Sequence, residues 1–250
     1  MKPNSDRIKD NAAGITRCAV EAYPVPPTRP YRKVRSRTHF TTRSTPLILF
    51  AMVAPRLHPW HDIPTGPDVP DVVTAVIEIP RHSRNKYELD KELGLYRLDR
   101  VLHSSVQFPG DYGFIPQTLG DDGDALDVLV VMTMPVFTGC LVEVRPVGIF
   151  HLMDRDAADE KIIAVPVADP YGEGIEDIGD LRKHLLKEIE HFFEVYKDLE
   201  GVRVRSRGFS DVEDARKSIL QAVANYRRRF GRAGTSRSKP VKTSGGPRKR

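Results

Sequence analysis

Apolar positions concentrate between residues 72 and 230, and their period changes partway along. Residues 72–79 (VVTAVIEI) form a β-branched run that stops at Pro80, the composition of a strand. Residues 86–89 and 95–102 flank Asp90-Lys91-Glu92-Leu93-Gly94, which predicts a hairpin with Gly94 supplying the turn. Further strands are predicted over residues 126–133 (LDVLVVMT), 139–150 (GCLVEVRPVGIF) and 161–168 (KIIAVPVA), separated by Pro, Gly or Asp clusters. Residues 202–207 alternate apolar with basic and predict an edge strand.

The period then lengthens. Leu181, Leu185, Ile189, Phe192, Phe193 and Tyr196 line one face of an amphipathic helix. Ser210-Asp211-Val212-Glu213 reads as a capping box opening a second helix, whose inner face carries Val212, Ala215, Ile219, Val223, Tyr226 and Phe230. Short strands followed by two helices predict an α+β fold, a small closed or strongly curved antiparallel sheet with helices packed on it.

Charge divides the chain differently. Residues 1–56 hold 11 Lys and Arg against 3 Asp and Glu, and residues 227–250 hold 10 basic residues and no acids. Residues 57–226 hold 18 basic and 31 acidic residues, so the periodic part is strongly acidic although the whole chain is +5. That argues against a nucleic-acid-binding core. Residues 1–56, rich in Pro, Arg, Ser and Thr, lack an apolar face that could offset ordering entropy, and predict a disordered basic extension. A targeting segment, an over-long reading frame with Met52 as the start, and a secretory signal (for which the basic lead is too long) are its alternatives. Residues 231–250 predict a disordered basic tail, leaving residues 57–230 as the folded domain. The longest uncharged apolar run, residues 47–54, is eight residues, against roughly 20 for a membrane span. Cys18 and Cys140 can build neither a disulfide framework nor a zinc site, so a reducing compartment, the cytoplasm, is expected, or an organelle if the extension is a transit peptide.

The densest chemistry is Asp121-Asp122-Gly123-Asp124-Ala125-Leu126-Asp127, four carboxylates in seven residues before an apolar strand. Such crowding raises pKa values and calls for compensation. A hard cation such as Mg²⁺ supplies it, keeping waters that a phosphate can replace. A calcium loop starting at Asp122 would place Asp127 at its sixth position and Thr133 at its twelfth, where Gly and Glu belong, so that reading fails. A solvated acidic turn remains the plain alternative. Residues 154–160 (DRDAADE) form a second acidic cluster, and Lys86, Arg100, Tyr112, Lys161, Tyr196 and Lys197 punctuate the neighbouring segments. Metal ions with Lys and Arg suit phosphoryl transfer, which is mostly neutralisation of oxygens and positioning of water.

Asp122-Gly123-Asp124-Ala125-Leu126-Asp127-Val128 resembles the signature of the soluble Mg²⁺-dependent inorganic pyrophosphatases. Val76-Ile77-Glu78-Ile79-Pro80, Lys86-Tyr87-Glu88, Leu98-Asp99-Arg100, Asp111-Tyr112-Gly113-Phe114-Ile115, Arg145-Pro146-Val147-Gly148 and the segment from His191 to Leu199 match in order, and His58-Pro59-Trp60-His61-Asp62 resembles the plant-type opening.

The resemblance implies a five-stranded OB-like β-barrel flanked by two helices, and hydrolysis of pyrophosphate to two phosphates. By the same resemblance Asp122, Asp127, Asp154 and Asp159 are the metal ligands, and Asp124 helps deprotonate the attacking water. Lys86, Arg100, Tyr112, Lys161, Tyr196 and Lys197 hold phosphate oxygens, with Arg100 and Tyr112 also in the catalytic set, and Glu78 and Glu88 are supporting carboxylates. Three positions depart from the family pattern: Ala125 stands for Pro, Phe108 for Tyr, and Arg155 for an acid. The expected partner is pyrophosphate, with no membrane and no specific nucleic acid, and a homo-oligomer is compatible with the sequence. The competing readings are an OB-fold nucleic-acid binder using its basic tails, and an inactive relative acting as a scaffold.

Overall fold

The computed structural model describes residues 57–231 apart from residue 156. The expectations for residues 1–56 and for nearly all of 231–250 therefore lie outside the described residues. Among these residues there are eight strands: β1 (Val73–Ile79), β2 (Asn85–Asp90), β3 (Leu95–Val101), β4 (Asp111–Phe114), β5 (Asp127–Val130), β6 (Leu141–Asp154), β7 (Ala157–Pro166) and β8 (Val204–Ser210). Two helices accompany them, α1 (Lys183–Val195) and α2 (Val212–Phe230).

Six strands pair in the order β1-β4-β5-β7-β6-β8, and β1 also pairs with β6. Strands β2 and β3 form a separate hairpin whose turn closes at Gly94, with φ +66°, a left-handed conformation that glycine adopts without steric cost. The expected edge strand is β8, paired only with β6. One expectation is corrected here: the sheet is not wholly antiparallel, because β5 and β7 run parallel. Parallel neighbours need a long connection, and the chain from β5 to β7 is filled by β6. Strand β4 went unread because its four residues, Asp-Tyr-Gly-Phe, lack an alternating pattern.

The central strands are buried on both sides. On β5, Leu129 joins the core beneath α1, whereas Val128 and Val130 join the core beneath α2. On β7, Ile163 and Val165 face the first core, and Ile162 and Ala164 the second. Two-sided burial explains why these segments read as continuous apolar runs. Helix α1 contributes Ile189, Phe192 and Phe193, all buried as its spacing predicts. Helix α2 buries Ala215, Ile219, Ala222, Val223 and Tyr226. Its cap lies one residue later than expected: Asp211, not Ser210, accepts from the Asp214 amide. Ser210 ends β8 and bonds the His151 ring at 2.9 Å, so its hydroxyl is committed elsewhere. Among the described residues no helix is long and apolar enough to cross a membrane.

Candidate active site

The acidic loop is built on a buried threonine. The Thr118 hydroxyl donates to the Ile115 carbonyl at 2.5 Å and accepts from the Leu126 amide at 2.9 Å. The Leu119 amide donates to the Ala222 carbonyl at 3.0 Å, which ties the loop to α2. Inside the loop the Asp124 amide donates to Asp122 Oδ1 at 3.0 Å, and the Gly120 amide to the Asp124 carbonyl at 2.7 Å. Gly123, at φ +89°, makes that tight turn. These bonds hold the loop backbone, and Asp122 and Asp124 stand at the mouth of a cavity of about 270 Å³.

Strand register brings the remaining groups to the same cavity. Parallel pairing sets Asp127 of β5 opposite Lys161 of β7. Asp159, two residues before Lys161, shares its side of the strand. Tyr112 of β4 faces Leu129, two positions from Asp127, within diagonal reach. Tyr112 Oη donates to Asp127 Oδ2 at 2.5 Å, and Lys161 Nζ donates to the same oxygen at 2.6 Å and also to Asp159. The ammonium lies 5.7 Å from the Tyr112 ring centroid and 5.9 Å from that of Phe193.

These placements set the local electrostatics. Burial opposes the charge on Lys161, but Asp127 and Asp159 outweigh it and raise its pKa. Burial raises the Asp159 pKa, with Lys161 pulling the other way. Burial, then the charges of Asp127 and Asp159, push the Tyr112 phenol well above its usual value, so it donates a proton and does not ionise. Glu78, buried at the end of β1 and near Asp127, is pushed up to about 8 mainly by burial. Its Oε1 accepts from the Leu89 amide at 2.8 Å, joining the sheet to the β2–β3 hairpin.

That hairpin and α1 supply the cationic wall. Lys86 pairs with Glu88 and approaches Asp99 at 3.4 Å. Arg100 sits opposite Lys86 in register but does not line the cavity: it bonds Asp99 and, through Nε at 3.0 Å, Glu200. Tyr196, the C-cap of α1, stacks on Phe192 with centroids 5.3 Å apart. Lys197 Nζ lies 5.2 Å from the Tyr196 ring and donates to Asp154 Oδ2 at 2.6 Å. Burial opposes the Lys197 charge, but Tyr196 and Asp154 outweigh it and raise its pKa. Asp154 stands behind Lys197 at the end of β6, outside the cavity lining.

Glu78, Lys86, Glu88, Tyr112, Asp122, Asp124, Asp127, Asp159, Lys161, Tyr196 and Lys197 thus share one cavity, whereas Arg100 and Asp154 adjoin it through Asp99 and Lys197. The lining also includes Trp60, Tyr87 and Lys91, which sequence reasoning left out of the site. Trp60 belonged to a quoted motif, and Lys91 stood in a predicted turn, where a lysine ordinarily means solvation. Phe108 is buried between Tyr112 and Phe192, a setting that accepts its apolar ring.

The donor set fits a hard divalent cation. Four aspartates offering only carboxylate oxygens line one cavity, and beside it, behind Lys197, the buried Asp154 Oδ1 has no hydrogen-bond partner. Among the described residues no three acidic, histidine or cysteine groups already converge as a metal cluster. The Lys161 ammonium instead occupies the space between Asp127 and Asp159 and serves as their counter-charge.

Comparison with known proteins agrees with this geometry. The inorganic pyrophosphatase family model matches residues 75–227. The chain is 46% identical over 173 residues to soluble inorganic pyrophosphatase 2 of Chlamydomonas reinhardtii, covering 69% of this chain and 90% of that one. It is 46% identical over 172 residues to the inorganic pyrophosphatase of Haloferax volcanii, covering 68% of this chain and 97% of the relative. The crystal structure of inorganic pyrophosphatase from Thermus thermophilus superposes with a TM-score of 0.66 at 44% identity, over 68% of this chain and 99% of that one. The cavity between the acidic loop, the hairpin and the end of α1 is accordingly that of a chain belonging to the inorganic pyrophosphatase family.

Proposed function

We propose that the chain hydrolyses inorganic pyrophosphate to two orthophosphates in this cavity. The observation that carries the reading is the meeting of Asp122, Asp124, Asp127 and Asp159 with Lys86, Lys161, Tyr196 and Lys197 around about 270 Å³. The carboxylates alone would repel a polyanion, and the cations alone would bind it without activating water. Asp122, Asp127 and Asp159 of the cavity, with Asp154 beside it, would hold Mg²⁺, which would supply charge neutralisation and lower the pKa of water. Asp124 accepts the proton of the attacking water as its oxygen bonds to phosphorus and the bridging P–O bond breaks. Lys161 and Tyr112 hold Asp127 in place. Lys86, Tyr196 and Lys197 grip phosphate oxygens, and Arg100 turns from Asp99 to the departing phosphate. Glu88 orients Lys86, and Glu78 fixes the hairpin through Leu89.

The reading extends to the finer architecture. Strands β1, β4, β5, β7 and β6 close as an OB-like barrel, supported by the β1–β6 pairing from Val73↔Val144 to Val76↔Leu141. Residues 57–230 are the catalytic domain, and residues 1–56 and 231–250 are basic appendages dispensable for catalysis. With only two cysteines, the chain acts in a reducing compartment, the cytoplasm. The alternative of a nucleic-acid binder finds no support in a cavity carrying six carboxylates or in the family assignment. The test is phosphate release from pyrophosphate with Mg²⁺, against a chelator control. Release that requires the metal supports the reading, and none from folded protein overturns it.

A further inference from the structure

Lys91 stands at the tip of the β2–β3 hairpin, in a turn that is itself well fixed. Asp90 Oδ1 accepts from the amides of Glu92 and Leu93 at 3.1 and 2.9 Å, and the Asp90 carbonyl accepts from Gly94 at 2.8 Å. His58 Nε2 lies 2.9 Å from the Lys91 carbonyl. From this base the side chain crosses the cavity mouth to Asp124 Oδ1, and its ammonium passes 5.6 Å from the centroid of the Trp60 ring. Among the described residues Lys91 is the one side-chain partner of the Asp124 carboxylate.

Both ends of this bridge rest on the same residue. The Trp60 indole donates to the Thr118 carbonyl at 2.9 Å, and Trp60 is 5% exposed. The Thr118 hydroxyl meanwhile holds the Leu126 amide, two residues after Asp124. An ammonium above an indole face is attracted by the ring quadrupole, so Trp60 limits where Lys91 can swing. The half-exposed ion pair adds little to stability. What it can do is choose one rotamer for a carboxylate that otherwise faces solvent.

We propose that Lys91, braced on Trp60, is a positioning residue that orients the Asp124 carboxylate toward the attacking water. This rests on the hydrolytic reading above, in which Asp124 takes the proton. The Lys91 ammonium contacts Asp124 and the Trp60 ring, and its contribution passes through Asp124. A misaligned acceptor affects turnover more than substrate capture, since the groups that grip phosphate lie deeper in the cavity. Arginine can reach the same carboxylate and stack on the same indole, whereas methionine keeps the length and loses the charge.

The test is a double-mutant cycle on the full chain, with steady-state pyrophosphate hydrolysis measured at saturating Mg²⁺. Lys91→Met is expected to lower kcat about tenfold with KM within about threefold, and Lys91→Arg to recover most of the loss. In the Asp124→Asn background the same Lys91→Met change should alter kcat by less than about twofold. Unchanged kcat in Lys91→Met, or equal losses in both backgrounds, overturns the proposal. A second readout needs no activity. Trp60 is the chain's single tryptophan, so its emission in metal-free protein reports the ammonium above it. Lys91→Met and Asp124→Asn should shift that emission alike, and no shift in either overturns the bridge. An inactive wild type with the emission shifts intact would defeat the hydrolytic reading and with it the catalytic role, while leaving the bridge itself established.

Discussion

Individual side chains at the cavity pair with one another, and Arg100 is the clearest case. It is held by Asp99 and Glu200 at the cavity edge, with Asp99 also reaching Lys86. Its planar fork can exchange a carboxylate for two phosphate oxygens, which a lysine cannot match. Arg100→Lys is expected to lose one to two decades in kcat/KM, or about 1.4–2.8 kcal/mol of transition-state stabilisation, with little change in melting temperature. Wild-type kcat/KM would remove Arg100 from the site. Glu78 gives a prediction in pH. Its carboxyl is pushed up to about 8 in the fold, against about 4.3 in an unfolded chain. Between these values the unfolded chain gives up a proton that the folded one keeps, so stability falls as pH rises through the window. The loss is on the order of a few kcal/mol when complete. In metal-free protein, Glu78→Gln should melt close to wild type near pH 5 and above it near pH 9. Parallel melting curves across that range would show that Glu78 is charged in the fold.

Elements explain how residues so distant in sequence meet. Strand β4 pairs antiparallel with β1, and a Cβ at Gly113 would sit 1.9 Å from the Val76 carbonyl oxygen. No rotamer relieves a clash with backbone. Gly113→Ala should therefore fail to yield folded protein or lose more than about 2 kcal/mol of stability, read by thermal melting, and a wild-type melting temperature would contradict this close β1–β4 approach. The Asp-Tyr-Gly-Phe sequence of β4 was legible as a family motif and not as a strand, because four residues with a glycine carry no periodic signal. The helices were legible because each keeps an apolar stripe, although the α2 cap moved from Ser210 to Asp211 once β8 claimed Ser210. Parallel pairing of β5 with β7 was not legible, since period and composition do not encode strand direction. That pairing nonetheless sets Asp127 beside Lys161.

At the scale of the whole molecule, charge and hydropathy agree on where the enzyme lies. The acidic middle of the sequence contains every described residue that lines the cavity, and the basic residues concentrate in the sequence on either side of it. A chain shortened to residues 52–230 should fold and keep at least half of the full chain's activity, and an insoluble or inactive product would give one of the ends a structural role. Nearly all cavity residues could be read from motifs, because phosphoryl chemistry restricts their types. Trp60 and Lys91 escaped because their role depends on where a hairpin tip meets a loop, which no local pattern records. The carboxylates gathered around Lys161 are the groups on which hydrolysis depends. The most direct measurement is Mg²⁺-dependent phosphate release from pyrophosphate by the wild type beside Asp127→Asn, with both shown to be folded. Asp127 accepts from Tyr112 and Lys161, and an amide there cannot supply the negative charge that draws metal ions. Rapid release by the wild type and near-complete loss in Asp127→Asn are expected, whereas turnover by the variant within about threefold of wild type would remove these carboxylates from the chemistry.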